Sequence, residues 1–148
     1  MDKMSDDEIR HISEIFPTSL DSIITKRRDE IELHLTTAAE IEELQTDIFT
    51  DHEKDTIDDW RLITMEGLLI NQRRIMLLGD SRILGHAWIT SRVRQIDLQR
   101  NVLVTSNSIY KLGLKGEGEP NIHHLIAVCA ALTRWGSGEA LGVTPFFY

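Results

Sequence analysis

Glycine is missing from the first 66 residues of this 148-residue chain, and all nine glycines fall in the remaining 82. Cysteine is nearly absent too. Cys129 stands alone, which excludes an internal disulfide framework and suits a reducing cytoplasm. No apolar run exceeds the eight residues from Leu125 to Leu132, far short of the roughly 20 needed to span a bilayer. The acidic start Met-Asp-Lys-Met-Ser-Asp-Asp-Glu has no apolar stretch behind it, so no signal peptide is expected. Positive charge is scarce as well. A net charge of −8 argues against non-specific binding to nucleic acid or to anionic lipid, while leaving room for a local basic patch.

What is present divides at the same boundary as glycine. Residues 1–60 hold 18 Asp and Glu against 6 Lys and Arg, whereas residues 61–148 hold 10 basic against 6 acidic. The composition is that of one ordinary folded domain, long enough to bury a core. We divide it into an acidic helical part (1–59), a β meander (60–113) and a stretch of loop, core helix and aromatic tail (114–148).

In the acidic part, Ser5-Asp6-Asp7-Glu8 matches a capping box, and Ile9, Ile12, Ile15 and Phe16 recur at helical spacing up to Pro17. A second helix is expected from Thr18 or Ser19, with Leu20, Ile23, Ile24, Ile31 and Leu33 as its apolar stripe. Thr37-Ala38-Ala39-Glu40 is another capping box, and Ile41, Leu44, Ile48 and Phe49 would be the buried face of a third. Asp51 to Asp59 reads as a polar connector. The carboxylates Glu40, Glu42, Glu43, Asp47, Asp51, Glu53, Asp55, Asp58 and Asp59 allow two readings. One is a solvated helical face with favourable charge at helix N-termini. The other is a presented acidic surface that docks on a basic partner or imitates nucleic-acid phosphates.

From Arg61 onward, Arg61–Ile70, Arg74–Leu78, Ala87–Ile96 and Val102–Tyr110 are short segments rich in Ile, Leu, Val and Thr, punctuated by turn residues. Residues 97–101 look like a hairpin loop. A meander of about four strands curled into a partly closed barrel is expected. Gly113 to Pro120 lacks the Gly-Lys-Ser/Thr order of a phosphate-binding loop and reads as a connector. Asn121 then opens a helix through Trp135, apolar nearly all round and stopped by Gly136, which predicts a buried core element. The tail Pro145-Phe146-Phe147-Tyr148 is expected to cap the core.

The candidate chemistries are sparse. Six histidines (11, 34, 52, 86, 123, 124) show no His-x-x-x-His spacing, so no zinc site is indicated. His123 and His124 fall in the first turn of the last helix, where the helix dipole disfavours positive charge, and read as hydrogen-bonded residues. Cys129 reads as a buried structural thiol, not as half of a Cys–His dyad. His11-Ile12-Ser13 and His34-Leu35-Thr36 loosely match the paired motifs of two-histidine phosphoesterases, but at helical positions and not on paired strands. Arg92, Arg94 and Arg100, with Trp88 and Tyr110 interspersed, would make a basic sheet face able to stack and neutralise single-stranded nucleic acid.

Asp59-Trp60, Thr90-Ser91-x-Val93-x-x-Ile96-Asp97, Val104-Thr105-Ser106 and Tyr110-x-Leu112-Gly113 together resemble a family of small uncharacterised proteins of alphaproteobacteria and their mobile elements. The resemblance covers roughly residues 58–113. It implies a compact β-module and a bacterial or prophage origin, and it carries no catalytic residues.

The resulting expectation is an α+β domain in which acidic N-terminal helices pack on a small antiparallel sheet, a partly closed barrel, with a buried C-terminal helix. The expected function is a non-catalytic cytoplasmic adaptor or inhibitor, phage- or mobile-element-encoded, that acts on host machinery. Its partner would be another protein with a basic surface, met through Glu42, Glu43, Asp47, Asp58 and Asp59. The alternatives are a nucleic-acid-binding module using Arg92, Arg94, Arg100, Trp88 and Tyr110, and a small phosphate-acting hydrolase. No cofactor, metal or membrane association is expected.

Overall fold

The computed structural model describes residues 17–67, 73–136 and 138–144. The expected first helix, the end of the strand expected to reach Ile70, and the aromatic tail lie outside the described residues. The elements in chain order are β1 (Ile31–Leu35), α1 (Ala38–Leu44), β2 (Asp55–Gly67), β3 (Arg74–Ser81), β4 (Ala87–Asp97), β5 (Val102–Thr105), β6 (Ile109–Leu112), α2 (Ile122–Arg134) and α3 (Gly138–Leu141).

The six strands form one sheet in chain order, each antiparallel to the next. A meander of five strands leaves its first and last parallel. Here they meet, because Asp55, Thr56 and Ile57 of β2 pair with Tyr110, Lys111 and Leu112 of β6. Strands β2 to β6 therefore close into a hydrogen-bonded ring, and β1 extends the sheet along the far half of β2, from Ile31↔Gly67 to Leu35↔Ile63. Closing so short a sheet needs sharp bends. Register shifts supply them in β2 between Asp58 and Arg61, and in β4 between Val93 and Gln95. Asp59, inside the first shift, takes a positive φ of 47°.

Alternation along the strands builds two cores. Trp60 and Leu62 of β2 and Ile75 and Leu77 of β3 face inward with Ile57, Val93, Ile96, Leu103, Tyr110 and Leu112. Their neighbours Ile63, Met65, Met76 and Leu78 face the other way, onto a layer made by α2, Leu20, Ile23, Ile24 and β1. This period of two on shared strands explains the apolar run Ile75–Leu78: both of its faces are covered. α2 starts at Asn121, whose side chain accepts from the His124 backbone N–H, and buries eight of its thirteen residues. Gly136 follows it with φ 81°, a conformation glycine adopts without strain. The helix is buried as expected, but it lies outside the ring, packed on β4.

Three expectations about the acidic part need correction. Residues 20–33 are not a helix. A single 3-10 turn (Leu20–Ser22) is followed by Arg27 at φ 59° and then by β1. Leu20, Ile23, Ile24, Ile31 and Leu33 are all buried, but the last two are buried as alternating residues of a strand zipped to β2. Tertiary pairing overrode a helical spacing that β-branched isoleucines support only weakly. The third helix does start at Thr37, with both capping-box bonds present, but it stops at Leu44. Gln45 is extended and bridges Ile96, and the Ile48 N–H is claimed by Asp97 Oδ2, so Phe49 ends up outside the core at 77% exposure. Finally, Asp55 to Asp59 belong to β2, not to a connector.

Candidate functional site

The carboxylates picked out as partner-binding do not form one continuous face. Glu42 and Glu43 lie on α1 and Asp47 just after it, while Asp58 and Asp59 sit in the bend of β2. Arginines from the second half of the chain reach most of them. Arg73 lies 3.3 Å from Glu43, Arg100 is 3.2 Å from Asp47, and Arg61 is 3.2 Å from Asp59. Asp58 takes two bonds from the Arg82 guanidinium, at 2.7 and 3.1 Å, and one from the Leu114 N–H. The Arg82 bonds hold the Asp58 carboxyl below its ordinary range and, reciprocally, raise Arg82. The Glu42 side chain has no ion-pair partner among the described residues. Arg100 also stacks 4.0 Å from the exposed ring of Phe49.

The residues of the expected nucleic-acid face are placed differently from one another. Tyr110 is buried inside the ring, and its hydroxyl accepts from Trp88 Nε1 at 3.3 Å. That ring offers no face to a base. Arg92 donates to the Arg73 carbonyl and Arg94 to Ser106 Oγ. The β4 register shift falls between Val93 and Gln95, where Arg94 and Gln95 are both exposed in succession. Arg100 is committed to Asp97 Oδ2 at 2.9 Å as well as to Asp47. Asp97, fully buried, also accepts from the N–H groups of Ile48, Gln99 and Arg100. These bonds, that from Ile48 foremost, hold it at about 2.

Two clefts border the β2 bend. One, of about 300 Å³, is lined by Leu35, Ile41, Trp60 and Leu62 against Lys115 and Gly116. The buried Arg61 guanidinium forms its base by donating to the Asp59, Glu117 and Gly118 carbonyls, which pins the glycine-bearing loop. The other, of about 640 Å³, is polar, lined by Asp58, Asp80, Arg82, His86, Asn121 and His123. Asp80, which lines it, belongs to a triad that no sequence spacing revealed. His124 is fully buried, with Nε2 2.7 Å from Asp80 Oδ1 and Nδ1 4.0 Å from Asp59 Oδ2. The Asn121 amide reaches the same Asp59 oxygen at 3.3 Å.

The remaining candidates resolve simply. Cys129 is buried in the helix-facing core, and burial pushes its thiol up to about 11, which leaves it unreactive. His34 lies on β1, not on a helix, bonded to Glu40 at 2.8 Å and flanked by Glu32 at 3.2 Å. His11 lies outside the described residues. Among the described residues no helix is long and apolar enough to cross a membrane. No family model, no curated protein and no solved structure matches the chain.

Proposed function

We propose that this chain is a non-catalytic cytoplasmic adaptor or inhibitor that docks on a basic surface of another protein through residues 38–59. One observation carries the reading. That stretch holds nine carboxylates against Lys54. The four arginines that reach into it, Arg61, Arg73, Arg82 and Arg100, offset about half of the excess. Negative charge therefore remains, and Phe49 stands out of it, 77% exposed. An exposed aromatic ringed by charge is the composition of a protein-docking spot, where the ring supplies burial and the charges supply steering. The inward Tyr110 weighs against the nucleic-acid alternative. A phage or mobile-element setting, with host machinery as target, rests on the resemblance over residues 58–113.

The test is capture from a bacterial host lysate, followed by association kinetics with the purified partner across ionic strength. Association should slow steeply with salt. Glu42→Lys should slow it further, and Phe49→Ala should speed dissociation. A partner bound equally well by wild type and both variants, or binding indifferent to salt, would overturn the proposal. Retention of single-stranded DNA on filters at low salt, lost in Arg94→Ala, would favour the alternative instead.

A further inference from the structure

The triad beside the polar cleft has a feature that a purely structural histidine would lack. His124 is fully buried, yet its Nδ1 has no hydrogen-bond partner. An unsatisfied polar atom in that position costs stability unless something fills the gap. The ring is not free to turn away. Its Nε2 is tied to Asp80 at 2.7 Å, and its backbone N–H is tied to Asn121 at 3.0 Å. In the tautomer that donates Nε2–H to Asp80, Nδ1 carries an unpartnered lone pair. The atom it faces is a carboxylate oxygen, Asp59 Oδ2. One ligand atom each from Asp59, Asp80 and His124 lies within 4.8 Å of the others.

We infer that His124 Nδ1 and Asp59 Oδ2 bind a divalent transition-metal ion beside the polar cleft that Asp80 and Asn121 line, with Asp80 orienting the imidazole. A carboxylate holding the far nitrogen of a ligating histidine is the usual support of such a ring. Zinc binds imidazole nitrogen and carboxylate oxygen at about 2.0–2.2 Å. The 4.0 Å between Nδ1 and Oδ2 is therefore close to the span of an ion touching both. Asp59 is half-exposed; to narrow the angle its carboxylate has to exchange the Asn121 amide at Oδ2 or the Arg61 guanidinium at Oδ1 for the ion, and water from the adjoining cleft, lined by Asp80 and Asn121, would take the remaining positions. One nitrogen and one or two carboxylate oxygens suit zinc and its first-row neighbours better than calcium or magnesium, which favour all-oxygen sites. The β2 register shift puts Asp59 in place. There its side chain meets the start of α2, where the Asn121 amide donates to Oδ2 at 3.3 Å.

Zinc chloride titrated into chelator-treated full-length protein by calorimetry tests this, with long-range proton–nitrogen spectra of the histidine rings as a second readout. The expected result is one zinc per chain, with the His124 Nδ1 resonance shifted to its metal-bound position and Nε2 still protonated. Asp59→Asn, which asparagine's tolerance of positive φ should leave folded, should weaken binding at least tenfold. Asp80→Asn should weaken it about 10- to 100-fold, while His123→Gln and His34→Gln should not change it. No zinc binding, an unmoved His124 resonance, or affinity that survives Asp59→Asn but falls in His34→Gln would each overturn the inference. The last would place the ion on Glu32, His34 and Glu66.

Discussion

Replacing Glu40 with glutamine removes one charge from the joint between α1 and the sheet, and the structure sets the size of the effect. Glu40 is only 8% exposed. Its Oε1 accepts from His34 at 2.8 Å and from the Thr37 N–H at 3.2 Å, and its Oε2 accepts from Thr64 at 2.7 Å. Burial alone would push this carboxyl up, but the bonds from Thr64, His34 and Thr37 outweigh it and hold it at about 2, against an ordinary 4.5. That depression corresponds to about 3 kcal/mol of folding free energy at neutral pH. Because the folded value is the lower one, the stabilisation is complete above the unfolded value of 4.5 and disappears as pH falls through the folded value near 2. Glu40→Gln should therefore lower unfolding free energy by about 3 kcal/mol at pH 7, and the gap from wild type should shrink to about 1 kcal/mol at pH 3. Urea titrations followed by tryptophan fluorescence at both pH values measure it. A gap that stays constant between the two, or one that is negligible at pH 7, would refute the account of how α1 is held.

Three further outcomes are expected. Leu103→Ala, at a fully buried position inside the ring, should cost about 2–5 kcal/mol by denaturant titration. In Gly116→Ala, a methyl group would lie 2.6 Å from both Arg61 Nη1 and Asp59 Oδ1; Tm should fall, and an unchanged Tm would mean that the Arg61 clamp does not hold that loop. Cys129, raised to about 11 by burial, should resist a thiol-specific disulfide reagent at pH 8 until the chain is unfolded, so rapid labelling of native protein would contradict its placement.

How much of this was legible in the sequence depended on how local the deciding physics is. The Thr37–Glu40 box, the Asn121 cap, the Gly136 stop and the loop at 97–101 are set by residues within one turn of each other, and each was readable. Most strand segments of the ring were readable too, but not the Ser106–Ser108 break that splits the expected Val102–Tyr110 segment into β5 and β6, nor the start of β2, where Asp55–Ile57 sit in the expected connector and close the ring on β6. Residues 20–33 misled because their buried isoleucines and leucines satisfy helical spacing in the sequence, while only β2 makes Ile31 and Leu33 a strand. Phe49 misled for a related reason, since Asp97, far along the chain, terminates the helix that would have buried it. The triad of Asp59, Asp80 and His124 was not readable by spacing, because a bulge, a strand end and a helix start bring it together. Its one local hint was an acidic doublet, Asp58-Asp59, beside a strand-like run.

The closed circuit from β2 to β6 also governs how this molecule can come apart or stick together. Each of those strands has neighbours on both sides, so none can peel away without tearing two ladders at once, which favours all-or-none melting over fraying. Among the described strands, β1 alone has a single partner strand. A foreign strand adding to that edge would meet five residues that include Glu32 and His34, a short and polar template for fibril growth.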